Sequence, residues 1–141
     1  IVLDANFRSD DEAYDHGNFD WTDANIPADQ LGWLKQQLDA NPFPAIVFVH
    51  QLLDGIGSHY INNASEVRGL LEASGKVQAV FHGHQHAGQY NRINGIHYYT
   101  LQAVVEGKGE ENNAYAIVEI DADNNLSVIG YRKATSKNLD A

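Results

Sequence analysis

The sequence predicts an α/β fold, with a mixed β-sheet that carries helices on one face and ends in β-hairpins. Three observations predict it. The elements read strand, helix, strand, helix, strand and then a run of hairpin strands; two of the strands are near-continuous apolar runs; and both of those runs end in histidine.

Ile1-Val2-Leu3-Asp4 opens the chain as a buried strand. Asn6 to Asn25 is polar, aromatic and rich in Asp, with neither helical nor strand periodicity, which predicts a long ordered loop of the kind that borders functional sites. Pro27 suits a helix's first turn, and Leu31, Trp33, Leu34 and Leu38 recur at near-helical spacing up to Asn41, where Pro42 and Pro44 close the segment. Ala45 to Val49 is wholly apolar and rich in β-branched residues, as in a strand covered on both faces. A glycine-containing loop from Leu53 to Asn62 leads to a second helix. Its start is marked by a capping-box-like Asn63 with Glu66, its apolar stripe is Val67, Leu70 and Leu71, and Gly75 ends it.

Val77 to Phe81 is the second apolar strand, and it runs directly into His82-Gly83-His84-Gln85-His86. Beyond it the pattern changes to a hairpin, Tyr90 to Ile93 and Ile96 to Leu101 around the turn pair Asn94-Gly95. Ala114 to Ile120 and Leu126 to Tyr131 follow as two more strands, separated by a turn from Asp121 to Asn125. Two helices are too few to cover both faces of these apolar strands, so part of the sandwich is expected to come from outside them.

Bulk properties narrow the function. The chain has 141 residues, 43% of them hydrophobic, enough for one domain with a core. A formal charge of -10, from 19 acidic and 9 basic residues, argues against extended contact with nucleic acid and against an anionic membrane surface. No stretch approaches the roughly 20 apolar residues of a membrane span, so a soluble protein is expected, cytoplasmic or exported. With no cysteine, any metal must be held by histidine, carboxylate or amide groups. A chain that opens inside a strand and has no methionine is expected to be a processed or cut piece of a longer polypeptide.

Seven histidines are the chemically informative residues. Neutral imidazole is the commonest metal ligand near physiological pH, and ligands of open α/β sheets gather beyond the carboxyl ends of strands. His50 follows one apolar strand, and His84 and His86 follow the other. Gly83 lets the chain turn sharply there, so that the two histidines converge. The blander assignment, polar residues in an exposed loop, suits an isolated His-x-His better than histidines ending two apolar strands. His82 is a candidate to orient a ligand from behind, and His59, in the loop after His50, a candidate for contact with substrate or phosphate. His97 reads as a packing residue of the hairpin and His16 carries no assignment. Asp10-Asp11-Glu12 lacks the alternating ligand spacing and central glycine of a calcium loop, and Trp21 and Trp33 read as core or rim residues.

The segments Val47-Phe48-Val49-His50 and Val80-Phe81-His82-Gly83-His84-Gln85-His86 resemble the last two metal-binding motifs of calcineurin-like metallophosphoesterases. The resemblance extends to Gln30-Leu31-Gly32-Trp33-Leu34 and to Asn94-Gly95-Ile96-His97-Tyr98-Tyr99. It implies that residues 1–141 are the C-terminal portion of a four-layer αββα sandwich, a partial domain without the family's earlier motifs. It also implies that His50 and His84 bind one divalent metal and His86 another, with manganese, iron or zinc as the ions. The implied activity is hydrolysis of a phosphomonoester, phosphodiester or pyrophosphate by hydroxide attack at a two-metal site. This chain would carry only the histidine half of that site and be inactive by itself. The alternative is a non-catalytic metal-binding or interaction module using His50, His84 and His86. The partners expected are a small phosphoester and, through sheet surface left uncovered, a second copy of the chain.

Overall fold

A computed structural model describes residues 1–15 and 17–140; His16 lies outside the described residues. Among these residues seven strands form two sheets, accompanied by two α-helices. The first sheet has the order β1-β2-β4-β3, from β1 (Ala45–Phe48), β2 (Val77–His82), β3 (Gln89–Ile93) and β4 (Ile96–Thr100). β1, β2 and β4 run parallel, and β3 returns antiparallel to β4 as the hairpin predicted around Asn94-Gly95. Both turn residues take positive φ, 49° and 87°, the conformation that matches a two-residue turn to the twist of its strands.

Alternation along these strands separates two cores. Val47, Val80 and Tyr98 face α1 (Ala28–Ala40) and α2 (Ala64–Ser74), packing with Leu34, Leu38, Val67 and Leu71. Ile46, Ala79, Phe81 and Tyr99 face the second sheet, made of β5 (Tyr115–Ile120), β6 (Leu126–Tyr131) and β7 (Lys137–Asn138) in that order, and pack with Leu126, Val128 and Leu139. The layers are therefore helix, sheet, sheet, the mixed α/β arrangement that the order of elements predicts. Outer-face residues Tyr115 and Ile117 are exposed, and among the described residues no helix covers that side.

Several local expectations change. The opening segment is not a full strand: it makes one parallel bridge, Val2 to Phe48, held by Leu3 N–H to Phe48 O at 2.9 Å and Phe48 N–H to Ile1 O at 2.9 Å. Trp33 leaves the apolar stripe of α1 and is exposed, because Leu31, Leu34 and Leu38 alone meet the core. Asn63 does not cap α2 with its side chain. It reaches back instead to the preceding loop, accepting from Ile26 N–H at 3.1 Å and donating to Ile26 O at 2.8 Å. Gly75 ends α2 with φ 63°, the left-handed stop that a glycine allows. β1 is not covered on both faces, since Phe48 is 46% exposed beside the exposed Val2. β7 has two residues, too few for any periodicity in the sequence to mark it.

Candidate active site

The site lies where β1 and β2 end together. Val49 N–H donates to Phe81 O at 3.1 Å and Gly83 N–H to His50 O at 3.0 Å, so the parallel pairing continues just past both strands and sets His50 against Gly83. A Cβ on Gly83 would stand 2.9 Å from His50 Nδ1, which is why only glycine leaves that ring room. The chain then turns through His84 at φ 61°, an uncommon conformation for a residue with a side chain. The turn places the His84 ring edge-on to His50, with centroids 5.2 Å apart.

His59 joins them from a closed loop. Leu52 N–H donates to His59 O at 3.1 Å and Ile61 N–H to Leu52 O at 2.9 Å, folding the loop back on its own start. His59 and His84 lie 5.3 Å apart, and Trp21, from the Asp-rich loop, lies 5.2 Å from His59 and 5.7 Å from His84. Trp21, His59, His84, Gln85 and His86 line an open cavity of 350 Å³. That loop is ordered by its own carboxylates: Asp23 accepts from Ser9 N–H at 3.0 Å and from Asn62 Nδ2 at 2.7 Å, and Tyr14 donates to Asp23 O at 2.7 Å.

His84 holds the least satisfied atom of the site. Its Nε2 is buried and has no hydrogen-bond partner among the described residues, a condition that asks for a ligand. Burial first, then the neighbouring His50, His59 and His86, push its pKa down, while the Trp21 backbone carbonyl pulls it up. The shift favours the neutral ring, the form that coordinates a metal.

His86 stands apart from this pair. It is exposed, and its Nδ1 lies 2.6 Å from Glu106 Oε1. A carboxylate on Nδ1 leaves Nε2 free, the arrangement that orients histidine ligands in metal sites. His82, four residues earlier, points the other way. It is buried beneath the loop after β1, where its Nε2 accepts from Leu53 N–H at 3.2 Å and its Nδ1 lies 3.4 Å from Thr100 Oγ1. Burial lowers its pKa to about 4, against an opposing pull from Asp54. Asp54 is itself buried and accepts from Gln89 Nε2 at 2.9 Å and Asn91 Nδ2 at 2.7 Å. His82 therefore pins the loop that follows His50. His97 packs in the hairpin with Nδ1 2.8 Å from Tyr90 Oη.

These donors fit a divalent metal in part. His50 and His84 are neighbouring imidazoles, one with an orphaned buried nitrogen, yet among the described residues no three His, Asp or Glu side chains come close enough together to hold an ion. Spacing alone does not reveal Trp21, which lies in a loop without periodicity, or Glu106, which reaches His86 across a long connection.

No protein-family model matches this sequence, and no curated protein matches it. A solved structure does: a dimetal phosphatase from Danio rerio superposes with a TM-score of 0.74 at 19% identity, covering 84% of this chain. The mixed α/β fold of this chain is similar to part of that phosphatase's fold. The chain spans 39% of that phosphatase's length. The likeness covers the architecture; the side chains of the site are this chain's own.

Proposed function

We propose that this chain contributes the histidine side of a metal-dependent phosphoester hydrolase site, with His50 and His84 on one divalent ion and His86 on a second. The observation that carries the reading is the His84 ring, which is edge-on to His50 and buried at an Nε2 that no group among the described residues satisfies. The phosphatase-like fold supports it.

Charge supports it as well. The residues that line the cavity include no Lys or Arg, and the chain as a whole is strongly acidic, at -10. A phosphoryl group would find no fixed positive charge there. Divalent ions, when bound, supply that charge and lower the pKa of water enough to make a nucleophile at neutral pH. The chain's own residues do the rest. His50 and His84 present adjacent ring nitrogens, Glu106 holds His86 by its Nδ1, and His59 stands beside His84 where it can donate to a phosphoryl oxygen. Because these donors do not enclose an ion by themselves, the reading assigns the remaining ligands to polypeptide beyond these residues and little or no turnover to the chain alone.

Calorimetric titration of the chain with Zn²⁺ and Mn²⁺ tests this. Binding that weakens at least tenfold in His84→Ala is expected; no heat of binding for either ion near pH 7.5 would refute it. Metal binding without turnover on a panel of phosphomonoesters, diesters and pyrophosphates, even in a longer form of the protein, would favour the non-catalytic metal module instead.

A further inference from the structure

The cavity beside His84 has one wall that metal chemistry does not require. Trp21 keeps 43% of its surface exposed although its ring touches both His59 and His84. An indole left half open at the mouth of a polar cavity costs hydrophobic free energy unless something covers it. Two features show that Trp21 is placed rather than stranded. Its loop is tied down on both sides, by Asp20 accepting from Thr22 N–H at 3.0 Å and by Asp23 accepting from Asn62 Nδ2 at 2.7 Å. Its backbone carbonyl also lies by the His84 ring, where it raises that ring's pKa. The same residue thus stands against the candidate metal ligand and forms the cavity wall.

A flat aromatic ring suits this wall better than an alkyl chain. Offset or edge-to-face aromatic pairs settle with centroids about 4.5–7 Å apart and add attraction beyond the area buried. The cavity, at 350 Å³, lies within the usual range for small-molecule sites, about 300–1,000 Å³. Its other lining side chains, His59, His84, Gln85 and His86, are all polar, so the indole is the one apolar surface on which such a group can rest. We propose that the site takes aryl phosphoesters, with the aromatic group of the substrate stacked on Trp21 and its phosphoryl end directed to His84. Trp21 is then the residue that sets substrate class. This rests on the phosphoester reading of the site.

The test compares two inert analogues, phenylphosphonate and propylphosphonate, which differ in the ring alone. Each is titrated calorimetrically into the chain saturated with Zn²⁺, and quenching of Trp21 emission is followed in Trp33→Phe, where Trp21 is the remaining tryptophan. Phenylphosphonate should bind at least fivefold more tightly and quench the emission. Trp21→Ala, which keeps the backbone carbonyl, should abolish the preference, and Trp21→Phe should retain most of it. Equal affinities, or a preference that survives Trp21→Ala, would overturn the proposal. If Zn²⁺ binds and neither phosphonate does, the aryl inference falls while the metal reading stands. If Zn²⁺ fails to bind, the metal reading falls, and a ring preference lost in Trp21→Ala still upholds the aromatic wall.

Discussion

The two faces of the first sheet are built differently. On the helix side Leu34, Val47, Val67, Leu71 and Val80 are all fully buried, and the two helices seal them from water. On the other side the second sheet covers Ala79 and Tyr99 but leaves Val2, Phe48, Val118 and Ile120 exposed. A groove of 480 Å³ runs between the sheets there, reaching His50 and Gly83. Each buried leucine or valine contributes about 1.5–3 kcal/mol relative to an exposed one, so stability is concentrated on the helix side. The site stands at the strand ends, where that closed core meets the open face. Its histidines are thus anchored from behind and accessible from in front.

The sharpest way to break this comparison is a pair of truncations. Leu71→Ala, in the sealed core, should lower unfolding free energy by about 2–5 kcal/mol. Phe48→Ala, on the open face, should cost less than about 1 kcal/mol. Urea titrations of the two variants that gave equal losses would show the open face to be closed in solution.

Burial of His82 predicts a pH dependence with a definite sign. Its pKa is held near 4 in the folded chain, against an ordinary value of 6.5, so between these limits the unfolded state binds more protons. Stability from this residue is complete above pH 6.5, falls as pH drops through the window, and is lost below about 4. The full swing is on the order of 3 kcal/mol. His97, also pushed down chiefly by burial, loses stability in the same direction. Chemical denaturation of the metal-free chain should show this slope, and His82→Gln, which keeps an acceptor for Leu53 N–H and cannot titrate in the window, should flatten it. An unchanged slope would mean that His82 is solvated.

Smaller effects are expected at the site itself, where few buried contacts depend on the side chains. Gly83→Ala should displace the His50 ring from its 2.9 Å clearance and weaken Zn²⁺ binding several-fold, about 1 kcal/mol, with a near-native circular dichroism spectrum. Full affinity would show that His50 contributes nothing. Glu106→Gln should change stability least, by less than about 1 kcal/mol, since the pair with His86 is exposed. Its signature is instead a shift of the His86 ring resonances in NMR, and unperturbed resonances would dissolve the pair.

Much of the architecture was legible because each element carries its own periodicity. The apolar runs of β1 and β2 marked strands, Leu31, Leu34 and Leu38 marked α1, and Asn94-Gly95 marked the hairpin of β3 and β4. What resisted were elements whose conformation depends on remote partners. Asn63 resembles a helix cap, but its amide is taken by Ile26 from the chain before α1. Trp33 matches the helical stripe, yet helix geometry alone does not say how wide a face the core will cover.

By itself the sequence determined the α/β class, the order of elements from α1 to β6 and the histidines that end the two apolar strands, because strand alternation, turn chemistry and helix stops are local. The tertiary structure decided how those histidines differ. His82 and His84 stand two residues apart on one strand end, and nothing in their spacing separates them. One turns under the loop after β1 and is satisfied by Leu53 and Thr100. The other swings through positive φ into the cavity beside Trp21 and His59, its buried nitrogen left open. Which ring is pinned and which is free depends on loops distant in sequence that close over the strand end, and local periodicity carries no record of that closure.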